Sequence, residues 1–384
     1  MYFYNRHNIS KTDTLRVLSS LKSEQITKGK YLDLFEHKLR KYFKSKYSLI
    51  YSNGTMALFA VAKCLGWNEK DHILLSAMSF VAGANAISSV KSKPVFVDID
   101  KYFNLDADKT EKKIIELKKN KKKVKAIIVT DYGGNPANWE KFLSLKRKYN
   151  LILINDNCHS LGSKVKGDKS YALKYADIVI QSFHAVKNIT SAEGGGIITN
   201  NKKYYLKLKS LREHGFKVNK INNPWNYELN SIGYNARLSE LNCALGSSQM
   251  DRLSYRVKKR NSIAKFYDKI FKKFNVIKIP EIPKENYCSY HLYPLRFDWK
   301  KLKITKYNFY NLMRKKYGIN LQIHYKPTYK FKFYKSKMKI KLSDFKNTEN
   351  FYREVFSIPL YDGLNKKELI YITKAITKTI KSKI

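Results

Sequence analysis

Between residues 45 and 200 the apolar positions fall in short, nearly continuous runs, and amphipathic stretches separate them. "YSLIYS" (47–52) predicts a strand, and "GTMALFAVAKCLG" (54–66) a helix that opens on a glycine. "HILLSA" (72–77) predicts the next strand, followed by a helix over 80–90 and a strand at "PVFVDI" (94–99). "VKAIIVTD" (124–131), a helix over 137–149 and "LILIND" (151–156) continue the alternation, which "DIVIQS" (177–182) and "GGIITN" (195–200) close. Strands that are apolar on both faces, set between helices, predict an α/β fold with a mainly parallel sheet covered on both sides.

Past residue 200 the texture changes. One long helical stretch is expected over 236–270, and "IPEIPKENY" (279–287) reads as a linker. "SYHLYPLRFD" (289–298) reads as a strand, followed by a helix over 305–317, a strand at "INLQIHY" (319–325) and two C-terminal helices. These elements predict a large domain over 1–270 and a smaller α+β domain over 271–384.

Charge adds a question rather than an answer. The 384 residues hold 76 lysines and arginines against 31 acidic residues, a formal net charge of +45. A nucleic-acid-binding protein would show this, through phosphate neutralisation. So would a chain of biased composition, and the lysines are spread along the sequence instead of forming one basic arm. "KKNKKKVK" (118–125) is the densest cluster and fits a solvated turn before a strand. No apolar run approaches the ~20 residues of a membrane span, and "MYFYNRHNIS" lacks the apolar centre of a secretory signal. Four cysteines (Cys64, Cys158, Cys243, Cys288) without a CxxC pair predict reduced thiols in a cytoplasmic protein, with no metal site.

Ligands of parallel sheets collect at the carboxyl ends of the strands, and three of those loops carry chemistry. "SNGTMAL" (52–58) sets Gly54 and Thr55 at a helix start, where free N–H groups hold phosphate; the same residues also make an ordinary helix cap. "NDNCHS" (155–160) supplies Asp156 and His159, although an acid there is often only a turn residue. The third loop holds Ser182, His184 and Lys187. An amine for a Schiff base, a carboxylate for a ring nitrogen and a phosphate cradle together point to pyridoxal 5'-phosphate.

On these motifs the chain resembles the DegT/DnrJ family of sugar-nucleotide aminotransferases. "SFHAVKNITSAEGGGIITN" (182–200) is similar to the family's lysine motif, "DNCHSLG" (156–162) to its Asp-x-x-His/Gln motif, and "IGYNARLSELNCALGSSQMDRL" (232–253) to its Asn-x-Arg helix. "TKGKYLDLFEHKLRKYF" (27–43), "FVAGANAI" (80–87), "KPVFVDID" (93–100) and "GINLQIHYKP" (318–327) extend the likeness over nearly the whole chain. "HAVKNIT" and "NPWNYELNSIGYNARLSE" (223–240) are similar to the pseudaminic-acid branch. The resemblance implies the fold-type I architecture of aspartate aminotransferase. It also implies amination at C4 of a UDP-linked keto-sugar, UDP-2-acetamido-2,6-dideoxy-β-L-arabino-hexos-4-ulose, with L-glutamate as donor. Other nucleotide sugars of the family are the alternative. A minority of the family carries out dehydration with histidine in place of the lysine, and Lys187 argues against that.

Carried onto this sequence, the resemblance makes Lys187 the covalent anchor and proton shuttle, and Asp156 the partner of the ring nitrogen. His159 would hydrogen-bond the cofactor's phenolic oxygen. Gly54, Thr55, the Met56 amide and Ser182 would hold the phosphate, with Phe80 stacked on the ring. Asn235 would reach the phosphate from the partner subunit of a homodimer whose sites lie at the interface. Tyr4, Ile26, Thr27, Lys28, Gly29, His324, Tyr325, Lys326 and Pro327 would line the sugar-nucleotide site. Neither a membrane nor a specific nucleic acid is implied. Four positions depart from the family: Asn155 for an acid, Met56 for a small residue, Ala236 for an aromatic, and Lys28 where a neutral residue is common, placing its charge for the UDP diphosphate. Read without the family, His184 packs beneath a cofactor, Arg237 is a helix or interface residue, and Tyr325 and Phe333 are core or interface aromatics.

Overall fold

The computed structural model describes residues 1–217 and 227–383. Among these, seven strands form the central sheet: β1 (Tyr47–Tyr51), β2 (Asp71–Ser76), β3 (Lys93–Val97), β4 (Lys123–Thr130), β5 (Ile152–Asp156), β6 (Ile178–Ser182) and β7 (Gly195–Thr199). Their order is β1-β7-β6-β5-β4-β2-β3. Every neighbouring pair is parallel except those made by β7, which runs antiparallel to both β1 and β6. The carboxyl ends of the other six strands therefore gather on one side.

Alternation along the strands explains why both faces are covered. Ile127 and Val129 of β4 join one core with Leu153, Val179, Phe35 and Trp139. Ala126 and Ile128, one position out of phase, join the other with Ile154, Ile180, Leu58 and Val61. Helix Lys30–Phe43 buries Phe35 and Leu39 on the first face, and helix Gly54–Cys64 buries Leu58 and Val61 on the second. A buried ion pair between Glu36 and Arg212, 2.6 Å apart, ties the first of these helices to the end of helix Lys202–Arg212. Its acceptor also takes the Ile50 N–H at 3.0 Å, as a buried charge requires.

A second sheet of three strands, β8 (Ile277–Lys278), β9 (Pro294–Phe297) and β10 (Val355–Ser357), is antiparallel throughout. Its core contains Tyr293, Leu295, Phe297, Phe309, Ile376 and, from helix Leu253–Phe271, Ile263, Tyr267 and Phe271. That helix contributes Leu253 and Val257 to the first core. It thus runs from one core into the other.

Three sequence expectations are corrected. The stretch 236–270 holds two helices, Glu240–Asp251 and Leu253–Phe271, because Arg252 leaves helical geometry (φ −105°, ψ 5°) while residues 236–239 are committed elsewhere. Within that stretch the Ala236 carbonyl accepts the Ser52 N–H at 2.8 Å. Of 289–298 only Pro294–Phe297 pairs as a strand; Ser289 and Leu292 instead donate to the Gly134 and Gly133 carbonyls. Residues 319–325 are extended, with Ile319, Leu321 and His324 buried, yet they make only single bridges, Tyr2 to Ile319 and Gln322 to Ser357. The N-terminal segment lies on one side and β10 on the other.

Candidate active site

The chain enters helix Gly54–Cys64 through Asn53, whose side chain accepts the Met56 N–H at 2.8 Å. The cap reading is therefore realised, and it corrects one expectation: the Met56 amide is occupied by Asn53. The Gly54 and Thr55 N–H groups, in the first turn, have no intrahelical partner. Ser182, the last residue of β6, faces them, since a Cβ on Gly54 would lie 3.1 Å from the Ser182 Cβ. Gly195 of β7 passes directly behind this loop. A Cβ there would meet Asn53 backbone atoms at 2.3 Å and the Gly54 nitrogen at 2.6 Å. This close approach is the reason for one glycine of the "EGGG" run.

Asp156 ends β5 with its carboxylate accepting from the Thr130 hydroxyl and the Cys158 N–H, each at 3.3 Å. Its neighbours in sequence are anchored below it. Asn155 and Asn157 both donate to Asp131, at 3.1 Å, and the same carboxylate takes Tyr171, Trp139 and the Ala137 N–H. Burial pushes the Asp131 carboxyl up to about 6. Sequence reasoning missed Asp131, which stands in an ordinary-looking "TDYGG" turn; the departure at Asn155 thus has a partner.

Lys187 is half-buried in the turn after β6, its N–H donating to the His184 carbonyl at 2.9 Å. The turn is pinned from outside. Asn188 donates to the Leu161 carbonyl at 2.8 Å, and Asn5 donates to the Val186 carbonyl at 2.7 Å. Burial lowers the Lys187 ammonium below its ordinary pKa, with the Asp156 carboxylate pulling the other way. His184 does not pack beneath this turn; it is exposed, its Nε2 3.6 Å from Glu193.

Across from Lys187 stands an aromatic wall. His159 is buried, takes the Gly133 N–H on Nδ1 at 3.3 Å, and places Nε2 3.0 Å from the Tyr325 hydroxyl. Burial first, and then proximity to Lys187 and to the His324 ring, hold its imidazole well below the ordinary pKa. The His291 ring lies 4.4 Å away. His324 is fixed by Ser357 at 2.9 Å, and its ring lies tilted against that of Tyr4, 4.7 Å away; burial and then the Lys187 charge push it down to about 3. Phe80 is 56% exposed, its ring 5.9 Å from that of Tyr325. Pro327 is buried, while Lys326 is exposed with its ammonium 4.9 Å from the Phe331 ring. Phe333 is exposed beneath Lys337 and is not a core aromatic.

The remaining candidates form a second cluster. Thr27 bridges to Ser239, and the Glu240 N–H donates to the Ile26 carbonyl at 3.0 Å. Gly29 caps helix Lys30–Phe43 against the Glu240 carboxylate. Lys28 sits 2.5 Å from Glu213, which also binds Arg237 at 3.1 Å. In this arrangement the charge of Lys28 is paired within the chain, contrary to the expectation of a cation held ready for a diphosphate. Asn235 bridges to Glu213 and is exposed. Glu213 was not singled out from the sequence, and no local pattern marks it. Residues 223–226 of the "NPWN" segment lie outside the described residues. A cavity of about 980 Å³ at the outer edge of β3, lined by Lys93, Phe96, Lys112, Phe333, Tyr334 and Lys337 among others, takes in neither Lys187, Asp156 and His159 nor the Lys28–Glu213 pair.

The sequence profile of the DegT/DnrJ/EryC1/StrS aminotransferase family matches residues 7–377. A UDP-4-amino-4,6-dideoxy-N-acetyl-β-L-altrosamine transaminase of Campylobacter jejuni is 38% identical over 380 residues, 97% of this chain and 96% of its own. The solved structure of Helicobacter pylori PseC, an aminotransferase involved in the biosynthesis of pseudoaminic acid, superposes with a TM-score of 0.91 at 31% identity over 99% of both chains. The PLP form of the putative sugar aminotransferase Spr1654 from Streptococcus pneumoniae superposes with a TM-score of 0.87 at 25% identity, covering 99% of this chain and 98% of that one. The chain belongs to the DegT/DnrJ/EryC1/StrS aminotransferase family.

Proposed function

We propose that this aminotransferase uses pyridoxal 5'-phosphate to move an amino group from L-glutamate to C4 of a UDP-linked 4-keto-6-deoxy-N-acetylhexosamine. The keto-sugar is UDP-2-acetamido-2,6-dideoxy-β-L-arabino-hexos-4-ulose, and the setting is pseudaminic acid biosynthesis in the cytoplasm. The observation that carries this reading is the meeting of Lys187, Asp156 and the Gly54–Thr55–Ser182 loop at the carboxyl ends of β1, β5 and β6. All four cysteines are free thiols, in keeping with a reducing compartment.

The donor set fits the cofactor. Free N–H groups at a helix start, with a serine hydroxyl, suit a phosphate, and Asp156 suits a protonated ring nitrogen. When bound, pyridoxal phosphate supplies an aldehyde that receives the amine and a ring that holds the electron pair left on carbon. Asp156 keeps that ring cationic, so the pair has somewhere to go. Lys187, with its ammonium lowered by burial, alternates between base and acid at the reacting carbon. Phe80 covers one ring face, and Tyr4 with His324 borders the sugar side. The second cluster serves a homodimer: exposed Asn235 reaches toward the partner's phosphate. Exposed Leu15, Leu18, Ile26, Leu229 and Ile232 support a surface covered by a second copy.

The visible spectrum tests this. Cofactor-loaded protein is expected to show a band that glutamate bleaches, and Lys187→Ala is expected to lose both the covalent band and turnover of the keto-sugar. A Lys187→Ala protein that still transaminates refutes the assignment.

A further inference from the structure

The cavity of about 980 Å³ beside β3 is walled by three segments: the outer edge of β3, helix Ala107–Lys119 and the stretch 333–345. β3 is the last strand of the sheet, so alternate backbone N–H groups on that edge have no strand to bond. Eight of the 24 lining residues are lysines, a third, whereas lysine and arginine together make up 76 of the chain's 384 residues. Three acids share the lining, and two are spent within the fold. Asp98 takes the Lys109 ammonium at 2.6 Å and the Thr348 N–H and hydroxyl at 2.8 and 2.7 Å. Glu116 pairs with Lys113 at 2.6 Å. Only Asp344 remains. Against it stand Lys91, Lys93, Lys112, Lys337, Lys339 and Lys341, all exposed and without an ion-pair partner among the described residues.

Biased composition spreads lysines over a surface, but it does not gather them unpaired around one concavity that also presents a bare aromatic ring. Phe333 is 52% exposed, and the Lys337 ammonium lies 4.0 Å from its ring centroid. The ring is held in place from behind. It stands edge-on to Tyr334 at 5.1 Å, and Tyr334 is fixed by donating to Asn85 at 2.7 Å and by packing edge-on to Phe96 at 5.7 Å. An exposed flat ring beside unpaired ammonium groups suits an aromatic base joined to phosphates. The volume is that of a small-molecule site, which runs to roughly 1,000 Å³. We propose that this cavity is a second ligand site, which takes a nucleoside diphosphate. Lys93, Lys112 and the lysines of 337–341 hold the phosphates, the free edge of β3 offers them N–H groups, and Phe333 stacks on the base. The site is independent of the pyridoxal-phosphate reading of the cleft at Lys187.

Calorimetric titration of the cofactor-supplemented protein with ADP tests this, with inorganic pyrophosphate as the probe that lacks a base. Lys93→Gln/Lys112→Gln/Lys337→Gln is expected to bind ADP about tenfold more weakly, the combined effect of three exposed charge contacts. Added salt should erode the affinity of the unsubstituted protein. Phe333→Ala is expected to weaken ADP by about fivefold or more, the size of one base stack, and to leave pyrophosphate unchanged. All four side chains are exposed, so urea midpoints should hold in both variants. Bleaching of the cofactor band by glutamate should also be unaltered, since none of the four lies in the cleft at Lys187. ADP affinity unchanged in the triple variant overturns the proposal, because a nucleotide held in that cleft is indifferent to these lysines. Pyrophosphate bound as tightly as ADP, with Phe333→Ala inert, refutes the nucleoside. A single-stranded oligonucleotide that binds this face more tightly than ADP, with affinity growing with its length, overturns the proposal in favour of nucleic acid.

Discussion

Gly195→Ala isolates the contact between β7 and the phosphate loop. The added Cβ would stand 2.3 Å from the Asn53 carbonyl carbon and oxygen and 2.6 Å from the Gly54 nitrogen, where ordinary contact starts at 3.4 Å. These are backbone atoms, so no rotamer relieves the overlap. β7 is bonded on both sides, to β1 and β6, so the loop is what retreats, by about 1 Å. Forced overlaps of this kind cost about 1–3 kcal/mol of stability. Displacing the Gly54 and Thr55 N–H groups by that distance removes the equivalent of one hydrogen bond to a charged group, about 1.5–3 kcal/mol, or a roughly ten- to hundredfold weaker Kd. The assay pairs a urea titration of the cofactor-free protein with a pyridoxal phosphate binding isotherm. Gly83→Ala is the control: its Cβ would meet only the Leu75 side chain at 3.5 Å, inside helix Ala82–Ser89, where alanine is the better helix former. If Gly195→Ala binds the cofactor as tightly as Gly83→Ala does, the loop is not the phosphate site and the packing argument fails.

Two further outcomes are expected. The folded pKa of His324, about 3, lies below the ~6.5 of an unfolded histidine, so the folded chain binds fewer protons between these values. Stability should therefore rise with pH up to ~6.5 and be flat above. His324→Asn should flatten that rise by at most about 1.4 kcal/mol per pH unit in urea midpoints taken at several pH values; an unaltered slope would contradict the buried neutral form. Asn5→Ala strands the Val186 carbonyl and the Nη2 of buried Arg260, which Asn5 accepts at 3.1 Å, and should cost about 2–4 kcal/mol. Asn5→Asp keeps the acceptor for Arg260 and should cost less in folding. It should still slow turnover at neutral pH, since its charge opposes deprotonation of Lys187; an aspartate variant as active as the unsubstituted chain would remove Asn5 from the support of that turn.

The strands were legible because a sheet buried on both faces writes itself as unbroken apolar runs: all seven strands of the central sheet appear within two residues of the expected bounds. Direction was not. β7 carries the same β-branched run as its parallel neighbours, and only the short return from β6 through the Lys187 turn makes it antiparallel. Nor did amphipathic periodicity mark Arg252, since the apolar face continues across the break while the backbone does not. The burial expected of a strand over 319–325 is present at Ile319, Leu321 and His324. The segment did not become a strand because each neighbour offers a single bridging residue.

The site divides along the same physical line. Lys187, Asp156 and Ser182 were readable because strand ends of a parallel sheet converge whatever the loops do. Residues that act through distant partners were not readable. Asp131 matters because Asn155, Asn157 and Tyr171 converge on it, Glu213 because Lys28 and Arg237 do, and Asn5 because Val186 lies 181 positions away. His159 is the sharpest case. A motif specifies which residue follows Asp156 by three, but not which of its nitrogens holds a proton. That is decided by the Gly133 N–H, presented after β4, and by Tyr325 from the far end of the chain.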